Sequence, residues 1–161
     1  LPILVDGVPA GIGETVFDKL DARLAQAVMS IGAVKGVEIG DGFAVAKSSG
    51  FGNNDEFYAG AGGGVEKRSN HSGGILGGMS DGSRIVLRAA FKPTPSIASE
   101  QHTVNRDGEN VDVVIKGRHD PIVVPRAVVV VECMTALTIL DMMLCGMTSR
   151  LDRIVKFYDR G

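Results

Sequence analysis

The sequence predicts an α+β fold over residues 1–161, with an antiparallel sheet packed against helices, and three observations carry that expectation. Short runs rich in Val and Ile, separated by glycine turns, recur through residues 1–115, the clearest being 83–91, where Ile85, Leu87 and Ala89 alternate with their neighbours. Apolar residues at three- and four-residue spacing mark an amphipathic helix within 15–31. A long apolar run follows Pro125, so the helices do not simply alternate with the strands. With 161 residues and 44% hydrophobic composition, the chain is long enough to bury roughly 70% of its unfolded surface, and one domain is expected.

In order along the chain, residues 1–5 read as a short strand, and 6–13, with Gly7, Pro9, Gly11 and Gly13, as a loop. In the helix at 15–31, Phe17, Leu20, Leu24, Ala27, Val28 and Ile31 form the inward stripe. Residues 33–39 are a strand closed by Gly40 and Gly42. The glycine- and asparagine-rich stretch 48–64 is expected to be a mobile surface excursion with little to anchor a core. Strands at 65–69 and 83–91 flank the glycine-rich segment 70–82. Residues 103–105 and 111–115 flank an Asp107-Gly108 turn and read as a hairpin with a long connection. Pro125 suits a first helical turn, and the apolar run to about Cys145 indicates a helix buried on most faces. Residues 150–160 form a short amphipathic helix with Leu151, Ile154, Val155 and Tyr158 inward.

A formal charge of −2 is too weak a field to imply nucleic acid or an anionic membrane as an obligatory partner. The longest uninterrupted apolar run, 127–131, is too short to span a bilayer, and Glu132 and Asp141 interrupt its extension. Cys133 and Cys145 lack metal-ligand spacing and read as buried reduced thiols, so no metal site is expected and a cytoplasmic location is. The apolar opening without an initiator Met reads as a cut from the interior of a longer polypeptide.

Three segments concentrate polar or glycine residues that a core does not need. The glycines of 70–82 either let backbone N–H groups approach an anion or simply turn the chain between strands. In 92–96, KPTPS, a cation and two hydroxyls on a proline-stiffened backbone suit a phosphate monoester, the alternative being a rigid strand exit. In 117–121, GRHDP, Arg118 offers a planar fork for an anion and Asp120 a base, although a solvated loop shows the same composition. His71 and His102 lack a second ligand at metal spacing and read as hydrogen-bonding residues.

Taken together, GVPAGIGETVFDKLDARLA from Gly7, MSIGAVKGVEIGDGF from Met29, NDEF from Asn54, NHSGGILGGMSDG from Asn70, KPTPSI from Lys92 and GRHDP from Gly117 resemble the chorismate synthase family, in its C-terminal half. The resemblance covers nearly the whole chain. It implies an enzyme that uses reduced FMN to eliminate phosphate from 5-enolpyruvylshikimate 3-phosphate, a 1,4-anti elimination giving chorismate in the shikimate pathway. NADPH enters only if the enzyme reduces its own flavin. The resemblance gives Lys92, Thr94 and Ser96 flavin-binding roles, Gly77 a backbone contact, and Gly32 with Ala33 a further contact pair. Arg118 inherits contacts to the bound ligands and Asp120 a proton-handling role. Gly32 stands where the family commonly has a side-chain amide, and Pro95 where it has a serine.

The implied fold is half of a β-α-β sandwich, and the family assembles as a homotetramer. The family's FGESHG-like motif and most substrate-binding arginines are absent from the sequence, which implies a missing N-terminal half and a piece inactive alone. A half-sandwich would expose its inner helical face, notably the helix after Pro125, so self-association there is expected. The alternative functional class is a non-catalytic homologue, an oligomerisation or FMN-binding module.

Overall fold

The computed structural model describes residues 1–117 and 122–159. A three-stranded antiparallel sheet is built from β1 (Pro2–Val5), β2 (Val34–Ile39) and a central strand, Ile85–Phe91, which is β7 in chain order. Val5 faces Ile85 and Ile39 faces Leu87, with an irregularity between Val34 and Gly36. The period-2 alternation of the central strand places Ile85, Leu87 and Ala89 on the covered face and Arg84, Arg88 and Ala90 outside. On that outer face Arg88 pairs with its cross-strand partner Glu38 at 3.0 Å, and Arg84 with Asp6 at 2.8 Å.

Helix α1 (Leu20–Met29) lies against the sheet with Leu20, Leu24 and Val28, at four-residue spacing, fully buried. Helix α2 (Val124–Met147) packs along α1, adding Val131, Ile139 and Met142 to one continuous core with Ile3, Val8, Val34, Ile75, Ile85, Leu87 and Ala89. Arg23 of α1 reaches Asp141 of α2 at 3.3 Å. The other strands form two-stranded ribbons: β3 (Phe57–Ala59) with β4 (Val65–Lys67), β5 (Ile75–Leu76) with β6 (Met79–Ser80), which adds Ile75 to the core, and β8 (Glu100–Val104) with β9 (Asn110–Val114). A 3-10 turn at Gly42–Lys47 and a final helix α3 (Leu151–Tyr158) complete the described elements.

The α+β expectation holds, and the strands expected at 1–5, 33–39, 65–69 and 83–91 are found within those ranges, whereas the hairpin expected from residue 103 begins at Glu100 and the short strands β3, β5 and β6 were not expected. Several expectations are corrected. The first helix begins at Leu20 rather than Thr15, because Gly13 and Val16 have positive φ and Lys19 is extended, so Phe17 points into solvent at 87% exposure. Residues 48–64 are not devoid of structure: they contain β3 and the buried Asp55. The helix after Pro125 is buried along one side only, at Ala127, Val131, Thr135, Ile139 and Met142, while Val129, Leu137, Leu140 and Leu144 are exposed. Its length and mean hydropathy of 2.0 are those of a helix able to cross a membrane, beyond what the short uninterrupted run indicated, but its buried side belongs to the domain core. Cys133 and Cys145 are free and exposed rather than buried. None of α3 is buried; Leu151, Val155 and Tyr158, read as inward, face solvent. The exposure of apolar residues on α2 and α3 has one cause: an apolar face says how much surface is to be covered but not by which polypeptide segment.

Thr135 sits 2% exposed against this core, and its hydroxyl has no hydrogen-bond partner among the described residues. Thr135→Val, which removes the orphaned hydroxyl at constant shape, is expected to raise stability by up to about 1 kcal/mol in urea unfolding; a loss instead would show that the hydroxyl has a partner.

Candidate functional site

The densest polar cluster surrounds the ammonium of Lys67, whose side chain is only 4% exposed. Its Nζ lies 2.7 Å from Asp81 Oδ2 and 3.6 Å from Asp55 Oδ2. It also donates to Asn70 Oδ1 at 2.9 Å and lies 3.4 Å from Ser72 Oγ. The Phe57 ring lies 5.9 Å away, within cation–π range. Lys67 closes β4, where the exposed Val65 and Glu66 give way to a side chain turned inward, and its acceptors come from Asp55 before β3 and from Asn70, Ser72 and Asp81 of the glycine-rich segment.

Asp55 is held more tightly than a lone buried carboxylate. It accepts from the Ser69 hydroxyl (2.7 Å), the His71 N–H (2.8 Å), and the Ser72 N–H and hydroxyl (2.9 and 2.6 Å). Burial works against its charge, but the Ser72, Ser69 and His71 donors prevail and hold its carboxyl well below the usual carboxylate range. Burial likewise opposes charge on Asp81, and the Lys67 ammonium and the Ser83 N–H outweigh it, so its pKa is also lowered. Asn70 joins the two legs of the loop, accepting from the Gly74 N–H and donating to the Arg84 carbonyl, both at 2.8 Å.

From this base rises the β5–β6 hairpin, whose two-residue connection, Gly77-Gly78, has positive φ at both positions, as a type I′ turn requires. Its tip docks on the start of α1. The Leu20 N–H donates to the Gly78 carbonyl at 2.7 Å, satisfying a first-turn donor for which Lys19 supplies no side-chain cap. The return strand is held by Ser80, which accepts from the Ile12 N–H and donates to the Pro9 carbonyl. Below the hairpin, Gly40 is buried with φ +57, and a Cβ there would lie 2.0 Å from the His71 carbonyl oxygen, so only glycine fits. His71 is tied to Asp41 through Nδ1 at 2.6 Å, and His102 hydrogen-bonds Asp112.

Of the sequence-predicted residues, Gly32, Ala33 and Lys92 come together. The Lys92 N–H donates to the Ala33 carbonyl at 2.8 Å, where Ala33 itself takes a left-handed φ of +71. Gly32 is exposed with nothing within 4 Å of a Cβ position. Lys92 is exposed and makes no ion pair among the described residues, and Thr94 and Ser96 follow it half-buried. Gly77 lies at the opposite end of α1, roughly 15 Å away along a ten-residue helix. Arg118 and Asp120 lie outside the described residues. Asp55, Lys67 and Asp81 escaped sequence reasoning, because a lysine in a short polar strand and a carboxylate among asparagines look like solvated surface. Nothing in the local pattern of 65–67 marks Lys67 as inward, since Val65, two residues before it, is itself exposed.

A sheet with one helix-covered face and a glycine hairpin footed on a buried ionic cluster defines an α+β domain of layered sheet-and-helix architecture. A family model described as chorismate synthase matches residues 1–144. The chain is 65% identical over 157 residues to a chorismate synthase from Lachnoclostridium phytofermentans, covering 98% of this chain and 43% of that protein. It is 60% identical over 157 residues to one from Agathobacter rectalis, covering 98% and 42%. A crystal structure of chorismate synthase matches it with a TM-score of 0.72 at 33% identity, covering 96% of this chain and 40% of that one. The chain belongs to the chorismate synthase family, and it spans only 43% of the length of the Lachnoclostridium relative.

A carboxylate whose pKa is lowered on folding stabilises above its unfolded pKa, about 3.9, and that contribution is lost as pH falls through the lower folded value. In the full-family-length polypeptide Asp55→Asn is therefore expected to lower the urea midpoint at pH 7, and its deficit against the parent to narrow below about pH 4. A deficit independent of pH would assign the effect to shape alone.

Proposed function

We propose that this chain supplies the C-terminal part of a cytosolic chorismate synthase, a phosphate-eliminating lyase that converts 5-enolpyruvylshikimate 3-phosphate to chorismate with reduced FMN. The observation that carries the reading is the convergence of Gly32, Ala33 and Lys92, fixed by the hydrogen bond between the Lys92 N–H and the Ala33 carbonyl. Two segments with roles implied by the family thereby form one exposed edge, and family membership supplies the reaction.

The residues present fit a flavin nucleotide. Gly32 leaves open space where a side chain would stand, Lys92 brings a cation with no ion pair among the described residues, and Thr94 and Ser96 bring hydroxyls beside it, a donor set suited to an anionic phosphate. Gly77 presents a backbone edge with nothing within 4 Å of a Cβ position. When bound, reduced FMN supplies the electronic assistance that side chains lack for breaking the carbon–oxygen bond to phosphate. In this reading Lys92, Thr94 and Ser96 bind and orient the flavin, and Gly32, Ala33 and Gly77 contact it through the backbone. Arg118 holds anionic groups of the bound ligands, and an Asp120 carboxylate oxygen handles a proton during loss of the ring hydrogen. The exposed apolar side of α2, with Leu137, Leu140 and Leu144, supports burial of that side within a larger, tetrameric assembly.

Two substitutions in the full-family-length polypeptide separate binding from proton handling. Lys92→Ala is expected to weaken FMN binding by about tenfold or more, the loss of one charge-assisted contact, and unchanged affinity by flavin titration would remove Lys92 from the flavin site. Asp120→Asn is expected to cut anaerobic chorismate formation by about 10²-fold or more with flavin affinity nearly unchanged, and parent-like turnover would exclude Asp120 from the reaction.

A further inference from the structure

The buried cluster around Lys67 has no role in the reading above, yet it is the most strongly determined polar group in the domain. Its side chain is 4% exposed, its partners Asp55 and Asp81 are 2% and 7% exposed, and every one of these groups is hydrogen-bonded. Two carboxylates and one ammonium removed from water stabilise a fold poorly compared with apolar side chains of equal volume, so their geometry is the property to explain. That geometry is a convergence. Lys67 comes from β4, Asp55 from the segment before β3, Asn70 from the leg entering the β5–β6 hairpin and Asp81 from the leg leaving it.

The hairpin is tied to its surroundings by Ser80, which binds Ile12 and Pro9, and by the Gly78 carbonyl, but across their base the two legs are joined by the Asp81–Gly74 backbone bond and by the side chains gathered around Lys67. β5 and β6 are two residues each, and four of the positions in and beside them are glycines with positive φ: Gly73, Gly74, Gly77 and Gly78. Such a backbone has a large conformational entropy to lose on folding. Lys67 restrains it by binding the entering leg through Asn70 and the exiting leg through Asp81, while the Asp81 N–H donates to the Gly74 carbonyl at 3.0 Å across the gap. At the other end of the hairpin lies the exposed backbone of Gly77, next to the Gly78 carbonyl that receives the first N–H of α1.

We propose that Lys67 is a positioning residue for the flavin contact at Gly77, drawing Asp55, Asn70 and Asp81 to one buried point so that both legs of the β5–β6 hairpin, and hence its glycine tip, are fixed. This rests on the reading that Gly77 contacts the flavin. Without the ammonium, Asp55 and Asp81 are left as neighbouring buried carboxylates, the Asn70 carbonyl loses a donor, and the legs separate. The tip then samples positions in which its backbone no longer meets the ligand, and its bond to the Leu20 N–H at the start of α1 loosens with it, while the sheet and α2 keep their packing.

The test uses the full-family-length polypeptide with Lys67→Met, and with Asp81→Asn as a milder variant should the first not fold. Amide hydrogen exchange is measured across residues 75–80 and across α2, and the apparent KM for reduced FMN and kcat at saturating FMN are measured in parallel. Exchange is expected to quicken about tenfold or more in 75–80 with α2 unchanged, and the KM for FMN to rise by about tenfold or more with kcat nearly retained. A variant that is merely less stable would lose active fraction, lowering kcat with KM unmoved. An unchanged KM for FMN, or unchanged exchange in 75–80, overturns the proposal. Quickened exchange in Lys67→Met beside a parent protein that itself binds no FMN would overturn the flavin role of Gly77, and with it this use of Lys67, while a parent that binds FMN and loses affinity on Lys92→Ala but not on Lys67→Met would overturn the positioning role alone.

Discussion

The contact on which the arrangement depends is the acceptance of the Leu20 N–H by the Gly78 carbonyl at 2.7 Å. It joins α1, which lies against the sheet, to the hairpin that carries the glycine tip, so neither element has an independent position. The helix needs the contact because no side chain caps its start, and an unmet first-turn donor near the core is unfavourable. The hairpin provides it because Gly77 and Gly78 adopt the left-handed conformations that a two-residue turn demands. Gly13 completes the junction: a Cβ there would lie 2.4 Å from the same Gly78 oxygen, so the chain passes close to the helix start only by having no side chain.

From that junction the domain divides into a rigid interior and peripheral ribbons. Leu20, Leu24 and Val28 lock α1 to Ile85 and Leu87, and Val131 and Ile139 continue the same core onto α2. The polar cluster around Lys67 forms a second centre, built by charge rather than by apolar area. It ties β4 to the two legs of the glycine segment. The edge formed by Gly32, Ala33 and Lys92 belongs to neither centre and hangs from the C-terminal end of α1 and the end of β7.

Much of this was legible in the residues. Period-2 alternation found β7 together with its buried face, and the 3.6 period found the Leu20, Leu24 and Val28 stripe, because both patterns report directly on what is covered. The start of α1 was not legible: Thr15 to Lys19 carries an acceptable helical pattern, and only the tertiary contact with Gly78 decides where the helix begins. The burial of α2 and α3 was misread for a related reason, since an apolar side chain does not specify its partner. At the site, the adjacency of Ala33 and Lys92 required the strand register to be known. The Lys67 cluster required four separate segments to be brought together, which no local pattern encodes.

The strand order has a consequence for how the polypeptide is made. Both outer strands, β1 and β2, pair with β7 and not with each other, yet β7 follows them far along the chain, 48 residues on from Ile39 to its partner Leu87 and 80 residues on from Val5 to its partner Ile85. On the ribosome, therefore, two strands with apolar inner faces emerge before β7, the strand that pairs with both, is synthesised. During that interval they are open edges of the kind that invite pairing with other chains. The sheet closes by long-range contacts, which slows its formation relative to the helix it covers. Nascent-chain protection is thus a demand written into the topology itself, independent of any chemistry the finished protein performs.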